Sequence, residues 1–327
     1  MKIAIVRLSA LGDIIQSMVV LQFIKRKFPN CTIDWIVDSR FASMLSGCDE
    51  IDNIIELNIK QIKIQKSFSL FYEIVKKLRK LEKYDKVFDF QGLIKSAIVA
   101  RLTPSKERIG FDKNSIREKL ASSLYSQKFS ISYEENVFLR YIGMINKFLE
   151  INITKQDIDN KTSFFRNTKR RNSSSSTSIV LVLGASFPSK IYPVEKYAEI
   201  ANSMNARFVA IWGSDKEQKM ALKLVSISKN VTIAKKLSLD ELKELISTAD
   251  LVIGSDTGPT HLAWALNVPS ITIFGSTPME RNCYRTRINL AISAQKITNP
   301  FNIDRIDSSI RKIDPKNIVK LATGLLK

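Results

Sequence analysis

Short β-branched runs alternate with helix-spaced apolar residues along most of this chain, and that order constrains the fold more than any other feature. Ile3 to Val6 reads as a strand, Leu11, Ile14, Ile15 and Met18 recur at helical spacing, and Thr32 to Val37, Asn53 to Leu57 and Val87 to Phe90 return to strand character. Asn136 to Leu149 closes this half as a helix. Such an order predicts a parallel sheet with helices on both faces. Residues 152–177 break the pattern with a polar stretch ending in Lys169-Arg170-Arg171 and a serine run, which reads as a linker. Strand signals then resume at Ile179 to Leu183, Phe208 to Trp212, Val231 to Ala234, Leu251 to Ile253 and Ser270 to Phe274, before a final helix near Pro315 to Leu326. The expected organisation is an N-terminal domain over 1–151, the linker 152–177 and a C-terminal domain over 178–327, with the last helix able to pack back on the first domain. Two α/β halves of this kind make a cleft between them the default ligand site.

Composition narrows the chemistry. The 327 residues hold 51 Lys plus Arg against 32 Asp plus Glu, a formal charge of +19, which asks for an acidic partner. Nine basic side chains between residues 57 and 86 face only Glu73, Glu82 and Asp85, either as a solvated helix surface or as a docking surface for phosphate or an anionic membrane. The basic excess is spread over both halves without a helix-turn-helix, zinc or aromatic-basic RNA signature, which argues against nucleic acid as the partner. A single histidine excludes a multi-histidine metal site, and any Ser-His-Asp chemistry would have to use His261. Three scattered cysteines fit a reducing, cytoplasmic setting, and no run of 18 apolar residues predicts a membrane span.

Four strand-end segments carry candidate chemistry. Ser9-Ala10-Leu11-Gly12-Asp13 follows the first strand, where Asp13 either faces a cleft or merely complements the start of a helix. Gly254-Ser255-Asp256-Thr257-Gly258-Pro259-Thr260-His261 offers backbone N–H groups, a hydroxyl and a helix N-terminus to a phosphate, and an ordinary helix cap there is compatible with that role. Gly184-Ala185-Ser186-Phe187-Pro188-Ser189-Lys190 adds small residues and a cation, and in Trp212-Gly213-Ser214-Asp215-Lys216-Glu217 the glutamate is either a ribose ligand or a helix-start carboxylate. Together the last three suggest a nucleotide diphosphate site. No G-x-G and no phosphate-loop motif is present, so dehydrogenase and P-loop readings lose their support.

These residues resemble a family. Val6-x-x-Ser9-x-x-Gly12-Asp13, Asp89-Phe90-Gln91-Gly92-Leu93-Ile94-Lys95-Ser96-Ala97, Trp212-Gly213 and Asp256-Thr257-Gly258-Pro259-Thr260-His261, in this order over nearly the whole chain, look like the ADP-heptose:lipopolysaccharide heptosyltransferases. The Asp89 to Ala97 segment, with Ile33-Asp34-Trp35 and Arg117-Glu118-Lys119-Leu120-Ala121, is most similar to the heptosyltransferase I branch. The resemblance implies a GT-B fold of two Rossmann-like α/β/α domains, with ADP-heptose held by the C-terminal half and the acceptor by the N-terminal half. It implies inverting transfer of L-glycero-D-manno-heptose to a Kdo residue of Kdo-lipid A by a protein peripheral to the cytoplasmic face of the inner membrane.

By position, Asp13 matches the family's catalytic base, Lys190 its diphosphate lysine, Glu217 its ribose glutamate, and Asp256, Thr257, Gly258 and His261 its donor-site turn. Ser186 stands where the family often has Thr, whereas Ala185 replaces a second common Thr and loses its hydroxyl. Arg117 matches an acceptor-side arginine, and Lys60, Lys63 and Lys66 lie where the family has a basic loop. No cofactor and no metal is expected, since the only D-x-D, Asp157-Ile158-Asp159, falls in the linker. Addition of a later heptose, in the manner of heptosyltransferase II, and a sugar-nucleotide epimerase are the alternative readings, with a non-catalytic nucleic-acid or phosphoglycan binder more remote.

Overall fold

The alternation becomes two six-stranded sheets in which every neighbouring pair is parallel. The computed structural model describes residues 1–65, 67–165, 176–294 and 299–327, without the side chains of residues 62 and 63. It divides into two compact units, Met1–Arg166 and Asn167–Lys327. The first holds β1 (Lys2–Val6), β2 (Thr32–Asp38), β3 (Asn53–Leu57), β4 (Tyr84–Asp89), β5 (Ser105–Phe111) and β6 (Gln127–Phe129), in the order β3-β2-β1-β4-β5-β6. The second holds β7 (Ser178–Val182), β8 (Arg207–Ile211), β9 (Val231–Ile233), β10 (Leu251–Ser255), β11 (Ser270–Phe274) and β12 (Asn289–Ser293), in the order β12-β11-β10-β7-β8-β9. Counted within its own unit, each sheet runs 3-2-1-4-5-6, the doubly wound Rossmann order.

Central strands are buried on both faces, as parallel sheets require. Ile3, Ala4, Ile5 and Val6 of β1 are fully buried, as are Leu251, Val252 and Ile253 of β10. Each large apolar side chain among them contributes roughly 1.5–3 kcal/mol by leaving water, so the strand ends that carry the candidate motifs are held by the most deeply packed elements of each unit. β5, β6 and β12 were not legible as strands. β5 opens with Ser105-Lys106-Glu107-Arg108, β6 is the three-residue edge strand Gln127-Lys128-Phe129, and the edge strand β12 has only the short apolar run Leu290-Ala291-Ile292.

The stretch expected to be linker is only partly so. Residues 152–165 belong to the first unit, where Thr154 caps the helix Lys155–Asp159 and Ile153, Ile158, Phe164 and Phe165 are buried. Gln22 Oε1 accepts hydrogen bonds from the Thr162 backbone and hydroxyl at 3.0 and 3.1 Å. Four irregularly spaced apolar residues suffice to anchor a segment that shows no helical or strand period. The remaining Lys169-Arg170-Arg171 and Ser173–Ser175 lie outside the described residues. The last helix, Pro315–Leu325, packs on the helix Val194–Asn202 and on β11, with Ile318 and Ala322 in the core of the second unit.

Candidate active site

In a sheet of this order ligands gather at the carboxyl ends of the strands where the winding reverses, between β1 and β4 in the first unit and between β7 and β10 in the second. The candidate motifs occupy those two places.

In the first unit the chain leaves β1 through Arg7-Leu8-Ser9-Ala10 and enters the helix Leu11–Ser17, with Asp13 in its first turn. Arg7 is buried, donates from Nη1 to the Phe90 carbonyl at 2.7 Å, and pairs through Nη2 with Asp13 Oδ2 at 2.9 Å. Asp13 Oδ2 also accepts from the Ala10 backbone N–H at 3.2 Å. The helix-start reading of Asp13 therefore holds, and it leaves room for a contact with substrate. Its side chain remains 44% exposed, and Oδ1 has no partner among the described residues.

The β4 end is tied to the same loop. Buried Asp89 accepts from the backbone N–H groups of Gln91 and Gly92 at 2.8 and 3.2 Å and from the Tyr125 hydroxyl at 2.7 Å. Burial pushes the Asp89 carboxyl up in spite of these donors. Gly92 has φ +66°, and a methyl group there would fall 2.7 Å from Ile116, so the turn needs glycine. The turn presents Gln91, which accepts from the Leu8 N–H at 2.9 Å, and Lys95, whose Nζ donates to Ser9 Oγ at 3.2 Å. Burial, with Arg40 and Arg7 nearby, lowers the Lys95 ammonium against the opposing pull of Asp38. Arg7 is thus a buried cationic partner of Asp13 that sequence reasoning did not assign, and Lys95 is bound to Ser9 of the same loop. An arginine breaking an otherwise apolar strand end was the available signal for Arg7.

Of the expected acceptor residues, Lys60 is exposed on the short helix Ile59–Gln65 after β3, and Arg117 is exposed on the loop after β5. Both follow carboxyl ends of strands in the Asp13 sheet, and neither contacts Asp13. The Lys63 side chain and Lys66 lie outside the described residues.

In the second unit Asp256 is the hub. Its Oδ1 pairs with His261 Nε2 at 2.9 Å, while Oδ2 takes Lys190 Nζ at 2.9 Å, the Thr277 hydroxyl at 3.0 Å and Asn282 Nδ2 at 3.5 Å. Burial alone would raise this carboxyl, but the Lys190 ammonium and then His261 hold it well below the usual carboxylate range. Asp256 accordingly positions Lys190 and His261 instead of presenting a free carboxylate. Thr277 and Asn282 were not anticipated, since they lie far along the chain from the motif they complete.

Thr257 is the N-cap of the helix Gly258–Ala265, without a side-chain capping bond, and Pro259 stands in the first turn. The first N–H groups of such a helix have no intrahelical acceptor and are available to an anion. Ser186 is exposed on the loop after β7, and Lys190 ends the short turn Pro188–Lys190. Glu217 is a helix-start carboxylate, with Oε2 accepting from the Gly213 and Ser214 N–H groups at 2.6 and 3.0 Å. Its Oε1 lies 2.0 Å from where a side chain on Gly184 would begin, so any larger residue there would displace the Glu217 carboxylate. Any ribose contact has to use Oε1.

Comparison with known proteins fits this arrangement. The family model described as glycosyltransferase family 9 (heptosyltransferase) matches residues 71–301. The chain belongs to glycosyltransferase family 9. Lipopolysaccharide heptosyltransferase 1 of Campylobacter coli is 42% identical over 344 aligned positions, 99% of each chain. The enzyme of that name from Escherichia coli K12 is 26% identical, covering 85% of this chain and 88% of that one. Among solved structures, E. coli heptosyltransferase WaaC with ADP superposes with a TM-score of 0.81 at 23% identity, over 99% of this chain and 100% of that one. This family-9 glycosyltransferase therefore has the GT-B type of fold, two Rossmann-like α/β/α units, as the motif resemblance implied. Among its described residues no helix is long and apolar enough to cross a membrane.

Proposed function

We propose that this glycosyltransferase moves L-glycero-D-manno-heptose from ADP-heptose to a Kdo residue of Kdo-lipid A, with inversion at the anomeric carbon. The observation that carries the reading is the full-length 42% identity to a lipopolysaccharide heptosyltransferase 1. It is supported by a half-exposed carboxylate in the first unit and a phosphate-compatible turn in the second. Asp13 takes the proton of the acceptor hydroxyl as that oxygen bonds to the anomeric carbon. The bond from the anomeric carbon to the phosphate oxygen breaks in the same step, and ADP departs with the electron pair. Lys190 and the N–H groups at Thr257 and Gly258 stabilise the charge gathered on the diphosphate.

Arg7 is a positioning residue, since its fork fixes one Asp13 oxygen and leaves the other free. Asp256 plays the corresponding part for Lys190 and His261. Lys60, Lys63, Lys66 and Arg117 meet the anionic acceptor, and Ser186 and Glu217 meet the donor. Asp157 of the D-x-D is occupied by Thr154 at 2.7 Å and Arg26 at 3.3 Å, so fixed cations take the role a bridging metal would have. The acceptor is a lipid, which brings the protein to the cytoplasmic face of the inner membrane as a peripheral enzyme. Purified protein is to be incubated with ADP-heptose, with and without Kdo-lipid A. ADP release that needs the acceptor, with one heptose gained by the lipid, is the expected result. Donor turnover without acceptor would instead indicate an epimerase or hydrolase.

A further inference from the structure

The helix Phe68–Arg79 lies outside the catalytic motifs and has an unusual outer surface. Ile74 and Leu78 bury its inner side, while Phe68 is 90%, Tyr72 65% and Phe71 46% exposed. At 3.6 residues per turn, residues 68, 72 and 79 fall on one stripe, with 71 and 76 at its margins. One amphipathic element therefore presents aromatic rings along its first two turns and Lys76 and Arg79 along its last.

Beyond that end is a cavity of about 620 Å³ lined by Arg79, Lys83, Arg101 and Arg108, with Leu102 to Ser105 as its floor. No carboxylate lines it, and none pairs with these four cations among the described residues. The nearby acids are engaged elsewhere, Glu82 with Lys2 at 2.7 Å, Asp85 with Lys106 at 2.6 Å and Glu107 with Lys86 at 2.5 Å. Arg108 Nε is buried without a hydrogen-bond partner. Arg79 and Arg101 sit in the last turns of their helices, whose negative ends each offset roughly half a charge. Four cations exceed that, so the cavity stays attractive to an anion.

We propose that this stripe docks the protein on an anionic lipid bilayer, the rings of Phe68, Phe71 and Tyr72 entering the interface and the cationic cavity receiving a lipid phosphate. Aromatic side chains beside basic ones on one helix face match the two layers of an anionic membrane surface, apolar acyl boundary and charged head groups. The surface serves a lipid-borne acceptor, and its purpose rests on that reading of the function, although its chemistry does not.

The test is co-sedimentation of the full chain with phosphatidylcholine vesicles and with vesicles that also contain phosphatidylglycerol. Wild type is expected to bind the anionic vesicles about ten-fold or more tightly than the zwitterionic ones. Arg79→Gln with Lys83→Gln should cost about five-fold per charge, roughly 25-fold together, at low salt. Phe68→Ser with Tyr72→Ser should cost about ten-fold, a loss that persists at high salt where charge is screened. All four positions are exposed, so thermal melting and transfer to a delipidated, soluble acceptor should match wild type. Wild-type affinity in either double variant, or equal wild-type binding to both vesicle types, overturns the docking surface. Vesicle binding that follows these expectations in a protein that transfers no heptose would refute the proposed reaction and uphold the surface.

Discussion

Asp13 and Asp256 are the same side chain at the switch points of two sheets with the same strand order, and their surroundings give them opposite capacities. Asp13 is 44% exposed, with one oxygen held by Arg7 and the Ala10 N–H and the other open. Asp256 is 6% exposed, and four donors from Lys190, His261, Thr277 and Asn282 occupy both of its oxygens. A carboxylate that still has an open lone pair can receive a proton from substrate. One that is buried and saturated can only orient the groups around it. Accessibility and remaining hydrogen-bond capacity, more than motif strength, decide which of these two acids is free to take a proton.

The widest separation should appear in stability. Asp256→Ala leaves the largely buried Lys190 ammonium without its carboxylate and is expected to lose about 3–5 kcal/mol in denaturant unfolding, whereas Asp13→Ala removes a 44% exposed carboxylate from Arg7, which keeps its bond to the Phe90 carbonyl, and should lose less, about 1–2 kcal/mol. Equal losses would erase the distinction. Next in size is Lys190→Met, which removes the cation proposed to meet the diphosphate and should weaken ADP binding by about 10- to 100-fold in titration calorimetry.

Acid should expose the same asymmetry. The Asp256 carboxyl lies well below its ordinary 3.8 in the folded protein, so the unfolded chain takes up the proton first as pH falls. Its contribution is complete above about pH 4 and is lost progressively below it. Melting temperature should fall in that range for wild type and fall less for Asp256→Asn. Arg7→Lys, which keeps the charge but not the fork, should lower kcat by about ten-fold with KM for both substrates nearly unchanged. The smallest expected effect is that of EDTA, which should leave activity intact, and loss of activity restored by Mg²⁺ would show that fixed cations are not enough.

Much of this was legible in the sequence because parallel strands buried on both faces announce themselves as β-branched runs, and because ligand-binding turns follow them directly. Ser9 to Asp13 and Asp256 to His261 are local segments whose chemistry travels with their order. What escaped were partnerships made by the sheet itself. Arg7 meets Phe90 only because β1 lies beside β4, and Thr277 reaches Asp256 only because β10 lies beside β11. Glu217 was open to two readings, and its bonds to Gly213 and Ser214 show that the capping role is present whatever else Oε1 does. The polar tract from 152 onward misled because a few apolar anchors without a period can still fix a segment.

The most direct test of the account is Asp13→Asn assayed with ADP-heptose and Kdo-lipid A alongside calorimetric titration of ADP. The amide preserves shape and the contact to Arg7 in part but cannot accept the proton. The account predicts kcat reduced about 10²-fold or more with ADP affinity within about two-fold of wild type. Near-normal turnover, or an ADP affinity that falls as far as kcat, would contradict it.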